Sequence, residues 1–192
     1  MSSIPPREKA LEIFGRYNKT ESLTRHALAV EGVMRHFAAL KGEDQDYWGQ
    51  VGLLHDIDYE QYPDEHCSKA LEILKAEGYD DAFIRAVVSH GYEIVNDVKP
   101  EHVMEIALFA TDELTGLIAA AALMRPSKSV LDLEVKSVKK KWKDKRFAAG
   151  VNREIILQGC QMLGMELDEV INETINGMRS VADAIGLGMA AA

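Results

Sequence analysis

Leu23, Ala27, Val30, Met34 and Phe37 follow one another at intervals of three or four residues, the spacing of one face of an α-helix. Similar patterns fill nearly the whole chain, and no stretch shows the period-two alternation of a half-buried strand over a useful length. Helix starts and stops are also legible. Pro5-Pro6 opens a segment to about Tyr17. Thr20 is an N-cap for Glu21 to Lys41, which Gly42 ends. Asp44 or Asp46 opens a third helix. Pro63 at a first-turn position predicts a fourth over Asp64 to Glu77, stopped by Gly78. Further helices are expected from Asp81 to about His90, Glu101 to Met124, about Leu131 to Trp142, from Asn152, and from Asp168 to about Ile185. The fold class is therefore all-α.

A chain of 192 residues, 47% hydrophobic and 28% charged, suits one folded domain, or one with a helical extension. Its net charge of −9 argues against a nucleic-acid polymer as partner, because such binding neutralises phosphates with Lys and Arg. The two cysteines, Cys67 and Cys160, form no C-x-x-C pair and are expected as reduced thiols. The N-terminal MSSIPPREKALEIF has no long apolar run, so no secretory signal is expected. The apolar run Leu117 to Met124 is far shorter than the ~20 residues of a membrane span. These features predict a cytoplasmic protein without a membrane partner. The segment Arg125 to Arg153 reverses the charge, with ten Lys/Arg against three Asp/Glu.

Four of the six histidines fall on apolar stripes. His26 lies beside Leu23, Ala27 and Val30. His55 follows Val51, His66 stacks with Ala70, Ile73 and Leu74, and His90 stacks with Phe83, Ala86 and Val87. His36 and His102 read as surface residues. Asp112 stands mid-helix in MEIALFATDELTGLIAAAALM, where a buried carboxylate is costly unless paired or bound to a metal. Glu113, one step round the helix, is expected to face solvent. A single histidine on such a stripe is usually a hydrogen-bonded core residue; four of them with two aspartates point to a metal. Imidazole with carboxylate suits Mn, Fe, Ni, Co or Zn, with Mg possible.

The order His26, then His55-Asp56, then Asp112, carried by SLTRHALAV, GLLHDIDYE and ATDELTGLI, resembles the HD superfamily of metal-dependent phosphohydrolases. The segment RPSKSVLDLEVKSVKKKWKDKRFAAGVNRE is similar to that of a small branch of predicted hydrolases in this superfamily. The resemblance implies a helical HD metal-binding core over residues 1–125. Residues 126–192 would be a basic segment and C-terminal helices packed on the same domain. It implies that His26, His55, Asp56 and Asp112 ligate one divalent transition metal. His66 and His90 match the extra histidines of two-metal branches, where Asp56 would bridge the two ions, so one or two ions are implied. The paired histidines and Gly-Tyr-Pro signature of the cyclic-dinucleotide branch are absent.

The implied activity is hydrolysis of a phosphomonoester or phosphodiester by a metal-activated water, on a small phosphorylated molecule or nucleotide. Asp58 is expected as a catalytic acid or base; its alternative is to orient a ligand histidine. Arg25 beside His26, and Lys136 in the basic segment, are the candidate groups for holding or attracting an anionic substrate. Two other functions fit the same residues: a di-iron oxygenase, and a non-catalytic nucleotide-binding module.

Overall fold

In the computed structural model, which describes residues 4–189, caps and stops place the helices much as the sequence predicts. Helix α1 spans Arg7–Tyr17 and α2 spans Glu21–Lys41; α2 closes on Gly42, whose φ of 72° suits glycine. The Asp44 side chain accepts from the Asp46 and Tyr47 N–H groups and starts α3, Gln45–Leu54. Asp80 caps α5, Asp81–Val88, by accepting from Phe83. Helix α6, Val103–Leu123, begins with a capping box in which His102 accepts from Met104 and Glu105 reaches back. Helices α7, Val135–Trp142, α8, Arg153–Leu163, and α9, Leu167–Arg179, complete the chain. Among the described residues no strand forms, only an isolated bridge between Tyr92 and Asn96, so the fold is all-α. Residues 1–3 and 190–192, at the outer ends of the two expected segments, lie outside the described residues.

Four boundaries differ from expectation. The fourth helix, α4, is Ser68–Ala76 and starts four residues late, after a 3₁₀ turn at Pro63–Glu65. His66 is extended there, and Cys67 takes a φ of 67°, rare for a residue with a Cβ. His90 lies beyond α5, in a 3₁₀ turn over Ser89–Gly91. Helix α7 begins at Val135 because Ser127 and Asp132 are drawn into a bonded turn with Arg125. Helix α9 stops at Arg179, and the chain folds back through turns to Leu187.

Helix α6 is the centre of the packing. Leu108, Leu114, Leu117 and Ile118 are fully buried, and α2, α8 and α9 all pack against it. It is the one helix among the described residues long and apolar enough to cross a membrane, yet most of that apolar length is buried by its neighbours. Helix α8 comes so close that a Cβ on Gly159 would sit 2.5 Å from Ala110 Cα, which requires glycine there. Helix α2 joins α3 on one side and α9 on the other. A buried carboxylate, Glu31, fixes α1 to α2: Arg7 donates to it at 2.6 and 2.8 Å and Arg35 at 3.1 Å. Helices α2, α3 and α6 thus meet at the level of His26, His55 and Asp112.

Candidate metal centre

His55 caps the C-terminal end of α3, and its Nδ1–H donates to the Gly52 carbonyl at 2.7 Å. His90 does the same toward Val87 at 2.5 Å from its 3₁₀ turn. His66 donates from Nδ1 to Asp58 Oδ1 at 2.7 Å. Carbonyls and carboxylates only accept, so each ring carries a proton on Nδ1 and turns its Nε2 inward, where a metal ion would take the place of any second proton. His26 enters from α2, and its Nε2–H donates to Asp112 Oδ1 at 2.9 Å, a proton that a metal ion would replace.

These Nε2 atoms converge in two groups joined by Asp56. In the first, His55 Nε2 lies 3.2 Å from Asp112 Oδ1 and 3.3 Å from Asp56 Oδ2, and His26 Nε2 lies 3.9 Å from Asp56 Oδ2. In the second, the Nε2 atoms of His66 and His90 are 3.0 Å apart. Asp56 Oδ1 is 3.4 Å from the former and 3.6 Å from the latter. Donors bound to one ion at ~2.0–2.2 Å stand roughly 3–3.6 Å from one another, so the spacing fits. Cys67, buried beside the second pair, has its sulfur within 4.8 Å of both rings' donor atoms. Either group, His26 with His55 and Asp112 or His66 with Cys67 and His90, could hold a metal ion.

Two features of the chain itself match a cation. His55 is wholly buried, and its Nε2 has no hydrogen-bond partner. A buried polar nitrogen left without a partner costs about 1–3 kcal/mol. The facing Nε2 atoms of His66 and His90 stand 3.0 Å apart, a contact that a proton shared between the two rings satisfies in the metal-free protein and that a metal ion would satisfy in its place.

The electrostatics agree. Burial works against a charged His55, but Asp56 and Asp112 outweigh it and raise its pKa well above the usual value. Asp56 and Asp112 go the other way: burial raises them, and the histidines pull them far below the carboxylate range. Burial lowers His66, yet its bond to Asp58 and the nearby Cys67 and Asp56 carry it up to about 10. The cluster thus stabilises positive charge on His55 and His66.

The donors open into a cavity of about 460 Å³, lined also by Tyr59, Pro63, Ile94, Val95 and Val151. Of the expected site residues, His26, His55, Asp56, Asp112, His66 and His90 come together. Asp58 does not face this cavity. It is fully buried, with Oδ1 on His66 and Oδ2 accepting from the Ala70 N–H at 2.8 Å. The geometry therefore gives it the orienting role and leaves no access for a catalytic one. The same two bonds explain the late start of α4, since Asp58 caps its first turn and turns His66 off the helix.

The two candidate anion-holding groups lie elsewhere. Arg25 pairs with Glu21 at 2.5 Å and lines a neighbouring cavity. Lys136 pairs with Glu134 at 2.6 Å on exposed α7, beside Lys139 and Lys140 and away from the histidines. Neither lines the metal-centre cavity, because both are committed to acids of their own segment. Glu113, expected in solvent, does line it and accepts from the Asn152 N–H at 3.3 Å. Burial and the adjacent Asp112 raise its pKa. His36 is half-buried against Glu173 of α9, and His102 is exposed as the α6 cap.

No known family model matches this chain, and no solved structure matches it.

Proposed function

We propose that the protein is a metal-dependent phosphohydrolase of the HD type, acting on a phosphate ester small enough to enter the cavity. The observation that carries this reading is Asp56. Its two oxygens face two separate sets of Nε2 donors, the arrangement of a carboxylate shared between two ions. His26, His55 and Asp112 would complete one set and His66 and His90 the other. Imidazole and carboxylate donors favour Mn, Fe, Co, Ni or Zn. Bound there, such ions supply an acidified water and neutralise phosphoryl oxygens. Asp58 keeps the His66 lone pair aimed inward. Glu113, on the cavity wall, is placed to hold a proton near the reacting group.

The test is metal content of anaerobically purified protein, then a panel of phosphomonoesters and phosphodiesters with Mn, Fe, Co, Ni, Mg and Zn. Metal-dependent phosphate release, lost with bound metal in Asp56→Ala, is expected. Full metal content and activity in that variant would refute the reading.

One observation favours a second reading, a di-iron oxygenase. Among the described residues lining the cavity there is no Lys or Arg, while Asp56, Asp112 and Glu113 are acidic. A neutral substrate would need no basic side chain. Oxygen uptake without phosphate release, in protein carrying two irons per chain, distinguishes it.

A further inference from the structure

A second cavity, of about 380 Å³, lies directly against the first and shares two lining residues with it, His26 and Gly116. Its remaining walls are largely apolar: Ala29 from α2, Ala119 and Leu123 from α6, Met178 from α9, and Ile185 and Leu187 from the turns that follow. Arg25 and Glu21, paired with each other, stand at its edge. Asp112, Gly116, Ala119 and Leu123 occupy one face of α6 at steps of four, three and four residues. The face that begins at the metal centre therefore continues into the apolar cavity.

Gly116 sits where the two cavities join. Nothing in the fold requires a glycine there. Its backbone is helical, and a Cβ at that position would meet no atom within 4 Å. A glycine inside a helix is destabilising relative to alanine, so the residue works against the stability of the central helix. Gly159, by contrast, is obliged by its contact with Ala110. What Gly116 does provide is open space between His26 and the apolar walls.

We infer that Gly116 keeps open a passage from the metal centre into an apolar subsite, and that the substrate is the phosphate ester of an apolar alcohol whose hydrocarbon part fills that subsite. This rests on the phosphohydrolase reading for the headgroup, while the apolar subsite rests on the cavity alone.

The experiment is binding of n-alkylphosphonates of increasing length to the metal-loaded, full-length protein by calorimetry, with phosphate release from the matching alkyl phosphates measured in parallel. Affinity is expected to rise up to about fourfold for each methylene buried, until the subsite is full. Gly116→Leu should abolish the dependence on length with metal content retained. Ala119→Phe, farther from the ligands, should shorten the longest chain that still gains affinity. Gly116→Ala should raise the melting temperature. Phosphonates that bind with affinity independent of chain length would overturn the inference while leaving the phosphohydrolase reading intact. Length-dependent binding with no phosphate release from any ester would refute that reading and keep the apolar subsite. A length dependence unchanged in both cavity variants would overturn the passage through Gly116.

Discussion

Replacing Asp58 by asparagine separates the second donor group from the first. The carboxylate accepts two N–H groups at once, from His66 Nδ1 at 2.7 Å and from Ala70 at 2.8 Å, in a fully buried position. An amide of the same shape can accept only through its oxygen. If that oxygen keeps Ala70, the amide NH₂ faces His66 Nδ1. The ring must then carry its proton on Nε2, where it donates to His90 Nε2, 3.0 Å away. The fold is preserved and the lone pair is lost to any metal. If the oxygen keeps His66 instead, the Ala70 N–H meets an NH₂ and is left unpaired, at about 1–3 kcal/mol. Loss of such an orienting partner typically lowers metal affinity about 10–100-fold. Titration with Co²⁺ or Mn²⁺ followed by calorimetry, with urea unfolding of the metal-free protein alongside, reads both quantities. Asp58→Asn should hold one ion tightly and the second weakly, or else unfold at clearly lower urea. Two ions at wild-type affinity together with wild-type stability would refute the assignment of Asp58.

Four further expectations follow from the structure. A metal must displace the proton that holds His66 at a pKa of about 10, so affinity for the second group should climb about tenfold per pH unit between neutrality and pH 10. In chelated protein that raised pKa stabilises the fold fully below about pH 6.5 and is lost as pH rises through about 10, so melting temperature should fall over that window. Glu113→Gln should leave metal content unchanged and reduce kcat more than KM; an unaltered kcat would remove Glu113 from proton handling. Glu31→Ala strands Arg7 and Arg35 beside a buried gap, and a loss of about 2–4 kcal/mol in urea unfolding is expected, discounted for the partial exposure of both arginines.

The residues of the candidate centre were legible because a polar ring on an apolar helical stripe is expensive. His26, His55 and Asp112 stand out by that rule alone, and the helices carrying them need only local signals to form. The errors came from long-range contacts. Ala70, Ile73 and Leu74 keep helical spacing with His66, so periodicity extends α4 through it. What stops the helix is Asp58, which takes hold of both His66 and the Ala70 N–H from the preceding turn. Glu113 lies one step from Asp112 and is solvent-facing on an isolated helix. It becomes a cavity wall because the segment around Gly150 and Asn152 folds over it. The basic segment reads as an attractor of anions, yet its Lys136 and Lys139 are answered by Glu134 and Asp168. Composition counts charges and does not say which are already matched.

The walls of the apolar cavity come from both ends of the described chain. All the candidate metal donors have been synthesised by Asp112, whereas Met178, Ile185 and Leu187 are added much later. The Leu187 carbonyl is then fastened by the Val130 N–H and the Ser129 hydroxyl. A growing chain therefore carries its whole complement of metal donors before the neighbouring compartment has a floor. A ribosome-stalled chain ending between α6 and α9 would have every candidate donor of the cluster and none of the walls that the C-terminal turns add beside it.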